Sequence, residues 1–328
     1  MKIAILLGGA SPERVVSMAS GTSIGKALKE LGHKVLYLDP ATPLGNMDDF
    51  REDLNNISMD SMDFEAMAKL NEEPFTEQIP YIKMKKIDLV FNALHGGNGE
   101  IGVISGMLED AGIPYTGSGY LASAIAMDKF KTKILARAVG VNCAEEELHE
   151  APVHKPEKVK FPLVIKPNNS GSSVGLTIIK EPCDIYDAMT EAFKYSDTVI
   201  IEDFIPGREF DIPVICGKAY PVLEVRAYGV NDYEAKYMPE KADHLVPAPI
   251  SDEKTKEMQE AAVKVYRALG LKNYARVDFR MTPDETIYLL EANTLPGMTA
   301  SSLVPKSAKA IGIDFPELLT IIIEDALA

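Results

Sequence analysis

Short apolar runs bounded by glycine or proline alternate along the chain with stretches whose apolar residues recur every three or four positions. The first pattern predicts buried strands and the second amphipathic helices. Lys2–Leu7 is the first strand and runs into Gly8-Gly9-Ala10-Ser11-Pro12. Ser11 is a helix-capping residue with Pro12 at the first helical position. Ile24, Leu28 and Leu31 then keep helical spacing until Gly32 stops the helix. Lys34–Leu38 and Ile87–Leu94 predict two more strands, and a helix near Val103–Ala111 followed by a strand near Ile113–Tyr115 completes a β-α-β unit. This first part reads as an open, mostly parallel α/β domain.

Ala122–Val139 predicts one helix leading into a second α/β unit. Phe161–Lys166 and Leu176–Lys180 predict strands on either side of an amide- and hydroxyl-rich loop, Asn168–Gly175. Val199–Phe204 is another strand, ending in an acid before Ile205-Pro206-Gly207, which suits a hinge lining a cleft. Residues 210–225 continue a sheet, and Tyr228–Pro249 is a long polar loop carrying Lys236 and Tyr237. Loops of that length in compact domains are usually functional or disordered. A helix over 251–269 carries the stripe Met258, Ala262, Val265, Tyr266 and Leu269, and a helix from Phe315 closes the pattern.

Residues 274–293 are the most informative. They read as two strands joined by Thr282-Pro283-Asp284-Glu285, the second ending in Glu291-Ala292-Asn293. Side chains alternate faces, so Glu291 and Asn293 point the same way, as do Arg276 and Asp278. With a turn of two or four residues, Asp278 sits opposite Leu289 and Arg276 opposite Glu291, and all four polar residues share one face. An odd loop without a bulge puts Asp278 on the other side. Two carboxylates and an amide oxygen on one face are the hard-oxygen set that Mg²⁺ takes beside substrate phosphates. A salt-bridged surface patch around Arg276 is the alternative, and the apolar flanks Val277, Phe279, Ile287 and Leu289 weigh against it. Like charges about 4 Å apart repel by roughly 4 kcal/mol at an effective dielectric of 20. One arginine offsets one carboxylate, and the second still calls for a cation.

Composition narrows the function classes. The 328 residues suffice for two or three domains, and the net charge of −15 argues against nonspecific nucleic-acid or anionic-membrane binding. The three cysteines have neither metal spacing nor a disulfide framework, which fits a reducing cytosol. MKIAILLGG reads as a buried strand rather than a signal-peptide core, and no stretch approaches the ~20 apolar residues of a membrane span. Residues 41–80 hold ten acids against two bases and read as a solvated, partly helical excursion.

Two glycine-bearing loops lack the standard nucleotide motifs. Gly8-Gly9 lacks the G-x-G-x-x-G of a dinucleotide fold, and Asn168–Gly175 lacks the Gly-Lys-Ser/Thr ending of a P-loop. Backbone N–H groups and hydroxyls of such a loop, Ser172 and Ser173 included, still suit an anion. Lys166 at the strand end and Lys129 on the preceding helix add positive charge. Glu13 and His95 lie just past the carboxyl ends of strands, where ligands gather in open α/β sheets.

In order along the chain, LLGGASPER, ALHGGNGEIG, GIPYTGSGYLASAIAMDKFKTK, KPNNSGSSVG, IEDFIPGREF, DYEAKY and ARVDFR…YLLEANTLPGMTASSLVP resemble the D-alanine–D-alanine ligase family of ATP-grasp enzymes. The likeness runs from Lys2 to about Ala326 and is patchy through 41–80 and 143–160. It implies three α/β domains: an open Rossmann-like N-terminal domain (1–120), a central ATP-grasp subdomain (121–204) and a C-terminal ATP-grasp domain (205–328), with ATP clamped between the last two. It implies ATP-dependent ligation of two D-alanines through an acyl phosphate, in the cytoplasm, for peptidoglycan synthesis. Mg²⁺, with Mn²⁺ as substitute, and a homodimer are implied as well.

By the same resemblance, Asp278, Glu291 and Asn293 match the Mg²⁺ ligands. Arg276 matches the residue on the transferred phosphate, and the Gly297 N–H the oxyanion donor. Lys129, Lys166 and Lys236 match the lysines on the nucleotide phosphates, Glu202 the adenine-side acid and Glu209 the ribose contact. Glu13 matches the acid pairing with the first substrate's ammonium, Ser172 and Tyr237 its hydrogen-bonded partners, and His95 a histidine nearby. Ser302 with the Leu303 N–H matches the holder of the second substrate's carboxylate.

The chain departs from the family pattern at Val15, Ile101, Ser105 and Ser170, where acids or a glutamine are common. These positions leave the phosphoryl-transfer residues intact and bear on the amino-acid side. A sibling ligase joining D-alanine to another amino acid therefore stands as the alternative. A non-catalytic nucleotide-binding module is a weaker reading, because Arg276, Asp278, Glu291 and Lys166 are all present.

Overall fold

Strand β1 (Lys2–Leu6) is buried along Ile3–Leu6 and pairs in parallel with β2 (Lys34–Leu38) on one side and β3 (Leu89–Asn92) on the other. A central parallel strand covered on both faces has to be apolar throughout, which is why its sequence does not alternate. The computed structural model describes all residues except 45–69, 152–155, 157–159, 172 and 228–241. Most of the acidic excursion over 41–80 therefore lies outside the described residues.

The helix after the glycine turn, α1 (Arg14–Glu30), begins later than Ser11-Pro12 signals. Ser11 Oγ accepts from the Glu13 N–H at 3.1 Å and donates to the His95 carbonyl at 2.5 Å, so it ties the first strand's exit to the third's instead of capping a helix. Helices α2 (Pro74–Met84), α3 (Gly97–Glu100) and α4 (Val103–Asp110) follow, and Tyr115 adds a single bridge to Val90 rather than a strand.

The one helix expected over Ala122–Val139 is two, α5 (Tyr120–Met127) and α6 (Lys129–Ala138). Asp128 leaves helical geometry at ψ 98°, and its carboxylate accepts from the Lys131 N–H at 3.0 Å. This N-cap starts a new helix with Lys129 at its first position. The Lys129 N–H also reaches the Asn168 carbonyl, and Asn168 Oδ1 accepts from the Phe130 N–H, so the helix start is fastened to the loop beyond the next sheet.

That sheet is antiparallel, with β4 (Glu146–Glu150), β5 (Leu163–Pro167), β6 (Thr177–Ile179) and β7 (Thr198–Asp203) in the order β4-β7-β5-β6 and α7 (Ile185–Ala192) against it. A third sheet runs β11 (Ala242–Leu245), β10 (Leu223–Ala227), β8 (Arg208–Ile215), β12 (Tyr274–Met281), β13 (Ile287–Asn293), with β9 (Lys218–Ala219) paired to β8. Helix α8 (Asp252–Ala268) buries Met258, Ala262, Val265 and Tyr266 on it, and Ser251 caps its start. Helices α9 (Leu303–Lys309) and α10 (Phe315–Leu327) follow. Leu318, Leu319 and Ile322 of α10 join Ile3, Ile5 and Leu28 in one core, so the last helix returns to the first sheet.

The β12–β13 hairpin corrects the expected register. Its tip is Pro283-Asp284-Glu285, closed by a hydrogen bond from the Thr282 N–H to the Thr286 carbonyl, with Glu285 left-handed at φ +62°. A three-residue loop of this kind is odd. Phe279 pairs with Leu289, but the next pair is Asp278 with Glu291, so Leu290 is the extra residue of a β-bulge. Asp278 therefore faces Glu291, not Leu289, and Arg276 faces Asn293, not Glu291. Leu290 and Glu291 together oppose Asp278, while Phe279 and Leu289 stay in the core behind.

Candidate active site

Arg276 grips Asp278 two residues along its own strand through two 2.7 Å hydrogen bonds, one to each carboxylate oxygen. Glu291, across the strand pair, lies 3.2 Å from Lys129 Nζ. Asn293 accepts from the Leu295 N–H at 2.9 Å, and the second lone pair of an amide oxygen is still available to a ligand. On the far side of β12, Asp211 of β8 stands opposite Asp278, and one of its oxygens is 3.5 Å from Arg276 Nε. Burial opposes the charge on Arg276, yet Asp278 and Asp211 hold its guanidinium well above the ordinary value.

These donors fit a divalent cation. Mg²⁺ usually takes one or two carboxylates and completes its shell with substrate phosphates and water, rather than sitting in an all-protein cage. Asp278 and Glu291 supply the carboxylates and Asn293 an amide oxygen. Among the described residues no three His, Cys, Asp or Glu side chains form such a cage.

A second group of site candidates gathers around the antiparallel sheet. Lys166 at the end of β5 donates to one oxygen of Glu202 on β7 at 2.7 Å, and Lys133 of α6 holds the other. All three side chains are buried. Burial alone raises a carboxyl pKa, but the two ammonium groups bring Glu202 down to about 2. Lys129 also donates to the Ser170 carbonyl at 2.6 Å, a contact that uses only backbone and so tolerates the serine at that position. Ser173 takes a left-handed φ of +55°, and Glu209 lies 3.5 Å from Arg280.

A third group surrounds Glu13. A Cβ added to Gly96 would come within 2.8 Å of its carboxylate, and one added to Gly171 within 3.6 Å, so this acid sits where the 168–175 loop meets the first domain's turns. His95 Nε2 is 3.0 Å from Ser20 Oγ, which accepts from the Met298 N–H at 3.2 Å. Burial lowers the His95 pKa against the pull of Glu13, which favours neutral imidazole. Gly297 precedes Met298, and a Cβ there would lie 3.1 Å from Ser302 Oγ. Ser302 is the N-cap of α9 with Leu303 at its first position, and its Oγ accepts from the Thr299 N–H at 3.0 Å. Glu100 is buried, accepts from the Gly96 N–H at 3.0 Å, and is pushed up to about 8 by burial and the nearby Glu13.

Two clefts converge here. One has apolar walls from Val164, Leu176, Ile178, Phe204 and Leu290, and carries Lys166, Ser173, Glu202 and Glu209. The other is polar and brings together Glu13, Glu100, Arg276 and Asn293. Lys129 and Glu291 line both, so the clefts share a wall. A flat apolar group with a polyanion fits the first, and a small zwitterion the second. Ser172, Lys236 and Tyr237 lie outside the described residues. Glu100, Lys133 and Asp211 also border these clefts or their buried ion pairs, though none was a sequence candidate. Lys133 repeats Lys129 at helical spacing and Asp211 repeats Glu209 at strand spacing, the only signals that mark either.

Residues 2–118 match the family model described as the D-ala D-ala ligase N-terminus, and residues 135–324 the one described as the D-ala D-ala ligase C-terminus. The D-alanine–D-alanine ligase of Aquifex aeolicus is 38% identical over 98% of this chain and 100% of its own length. That of Synechococcus sp. (strain JA-3-3Ab) is 37% identical over 100% and 94%. The crystal structure of the Bacillus anthracis D-alanine–D-alanine ligase complexed with ATP superposes with a TM-score of 0.78 at 30% identity, covering 100% of this chain and 97% of that one. A second structure of the Bacillus anthracis enzyme gives 0.80 at 33% identity with the same coverage.

Proposed function

The chain belongs to the D-alanine–D-alanine ligase family, with its ATP-grasp fold, and from that premise we propose that it joins two D-alanines into D-alanyl-D-alanine with ATP, releasing ADP and phosphate. The observation that carries this reading is the wall shared by the two clefts, Lys129 and Glu291. It supports this reading because a terminal phosphate in one cleft would lie beside a small amino acid's carboxylate in the other.

A carboxylate oxygen of the first D-alanine attacks the γ-phosphorus and ADP leaves, giving an acyl phosphate. The amine of the second attacks the acyl carbon and loses a proton as the carbon–oxygen bond to phosphate breaks. Glu13 pairs with the first ammonium. Arg276, Lys129 and Lys166 hold negative phosphoryl oxygens, where fixed positive charge counts most as charge shifts. The Gly297 N–H faces the tetrahedral oxyanion, and Ser302 with the Leu303 N–H holds the second carboxylate. Ser173, Glu202 and Glu209 hold the nucleotide, Ser172 and Tyr237 support Glu13, Lys236 reaches the γ-phosphate, and His95 borders the first amino acid. Asp278, Glu291 and Asn293 would hold Mg²⁺, which would supply positive charge to the transferring phosphoryl group. The 168–175 loop excludes water, which would hydrolyse an acyl phosphate.

Residues 1–120, 121–204 and 205–328 form the three functional units in this account. The reaction belongs in the cytosol, where Cys143 and Cys216 stay free thiols. The product is a building block of the peptidoglycan wall, and the working form is a homodimer, a point for sedimentation analysis. The test of the function is incubation of the protein with ATP, Mg²⁺ and D-alanine, with mass spectrometry of the product. D-alanyl-D-alanine in step with phosphate supports the reading. Phosphate release without that dipeptide, or faster formation of another amino-acid pair, overturns it.

A further inference from the structure

In the present arrangement Arg276 occupies both oxygens of Asp278, the carboxylate that a divalent cation would need. A cation on Asp278 shares the two oxygens with the guanidinium and repels its positive charge, and a largely buried guanidinium pushed away without another acceptor is strongly unfavourable. Asp211 is the other carboxylate in reach. It is 1% exposed, stands opposite Asp278 in the β8–β12 register, and has an oxygen 3.5 Å from Arg276 Nε. The residue directly opposite Arg276 on β8 is Pro213, which offers no side-chain polar group, so the diagonal neighbour Asp211 is the acceptor that β8 presents. Among the described residues no three His, Cys, Asp or Glu side chains are grouped to hold a metal.

We infer that Asp211 is a positioning residue that takes over the Arg276 guanidinium when a divalent cation claims Asp278. The inference rests on the metal-dependent nucleotide site proposed above. It makes metal loading an exchange: Arg276 moves from Asp278 to Asp211, so its charge remains beside the phosphoryl group while Asp278 becomes a ligand. The exchange moves one hydrogen-bonded pair and needs no main-chain motion, because all three residues stand on adjacent strands of one sheet.

The test is direct binding without turnover, using Mn²⁺ and ADP with electron paramagnetic resonance to count free Mn²⁺. Wild type, Asp211→Asn, Arg276→Gln and the double variant are compared, and calorimetry follows ADP binding in EDTA. Asp211→Asn is expected to weaken Mn²⁺ binding in the presence of ADP at least tenfold, equivalent to about 1.4 kcal/mol. Metal-free ADP binding should change less than twofold. In the Arg276→Gln background no exchange is needed, and the Asp211 substitution should have less than a twofold effect. An Asp211 effect equally large in that background shows that Asp211 acts on the ion by charge alone and overturns the inference. An Asp211→Asn variant that binds Mn²⁺ as wild type does overturns it too, and this readout stands even where Arg276→Gln does not fold. Failure of wild type to bind Mn²⁺ at all with ADP instead sinks the metal site itself.

Discussion

Asp278 and Glu291 face each other directly across β12 and β13 because Leu290 bulges between Glu291 and the core pair Phe279–Leu289. The bulge gives one site face two kinds of residue side by side: an acid for the phosphoryl end and a leucine for the nucleotide cleft. Asp278→Asn or Glu291→Gln should abolish Mg²⁺-dependent phosphate release while far-UV circular dichroism stays unchanged. Near-normal turnover in either variant is incompatible with the assignment.

Leu290 supplies apolar wall to the nucleotide side alone. Leu290→Ala removes about three carbon groups at about 0.8 kcal/mol each when fully buried. Leu290 is half-buried, so roughly a five- to tenfold rise in the KM for ATP is expected. The KM for D-alanine should stay within about twofold, and steady-state kinetics with each substrate varied in turn separates the two. An equal rise in both constants contradicts the division of the clefts.

The period-two alternation of residues 274–293 put Arg276 with Asp278 and Glu291 with Asn293, and left it to an even or bulged connection to bring the two pairs to one face; the bulge at Leu290 does so. Their pairing was not legible, because an odd loop and a bulge each shift the register by one; together they restore the face but move each partner by two residues. Asp128 hid a helix break for a similar reason: an aspartate inside an apolar helical pattern becomes a cap only when its carboxylate meets the Lys131 N–H. Lys133 and Asp211 went unmarked because charged residues are expected outside, and only packing shows that both are buried against site residues. Glu13 was legible by its place after a strand. The closeness of Gly171 to it depends on how two sheets meet, which no local pattern encodes.

Glu13 should act on the first amino acid and not on the nucleotide, since it lines only the polar cleft. Glu13→Gln removes a charge-assisted contact worth about 1.5–3 kcal/mol. The expected result is roughly a ten- to hundredfold rise in the KM for the first D-alanine with the KM for ATP little changed. Parallel changes in both would refute the pairing.

Glu100 and Glu202 should move stability in opposite directions with pH. Glu100 is held near 8 against an ordinary 4.5 by burial and by Glu13. Between those values the unfolded chain has released this proton while the folded chain keeps it, so raising the pH favours unfolding. Glu202 is held near 2 by Lys133 and Lys166 in spite of burial, so its stabilisation is complete above 4.5 and is lost as the pH falls toward 2. In metal- and nucleotide-free protein, Glu100→Gln should flatten the decline in unfolding free energy between pH 4.5 and 8. A tenfold change in proton affinity on folding corresponds to about 1.4 kcal/mol, so the difference is on the order of several kcal/mol. Urea titrations across that range measure it, and parallel curves for the two proteins contradict the placement of Glu100.

The central claim is that phosphate passes from nucleotide to amino-acid carboxylate across the wall formed by Lys129 and Glu291. The most direct measurement is turnover with D-alanine labelled with ¹⁸O in its carboxylate, followed by mass analysis of both products. Attack by a carboxylate oxygen on the γ-phosphorus leaves that oxygen on phosphate once the peptide forms. The account predicts one ¹⁸O in the released phosphate for each D-alanyl-D-alanine made. Dipeptide accompanied by unlabelled phosphate would show that no acyl phosphate forms there and would contradict it.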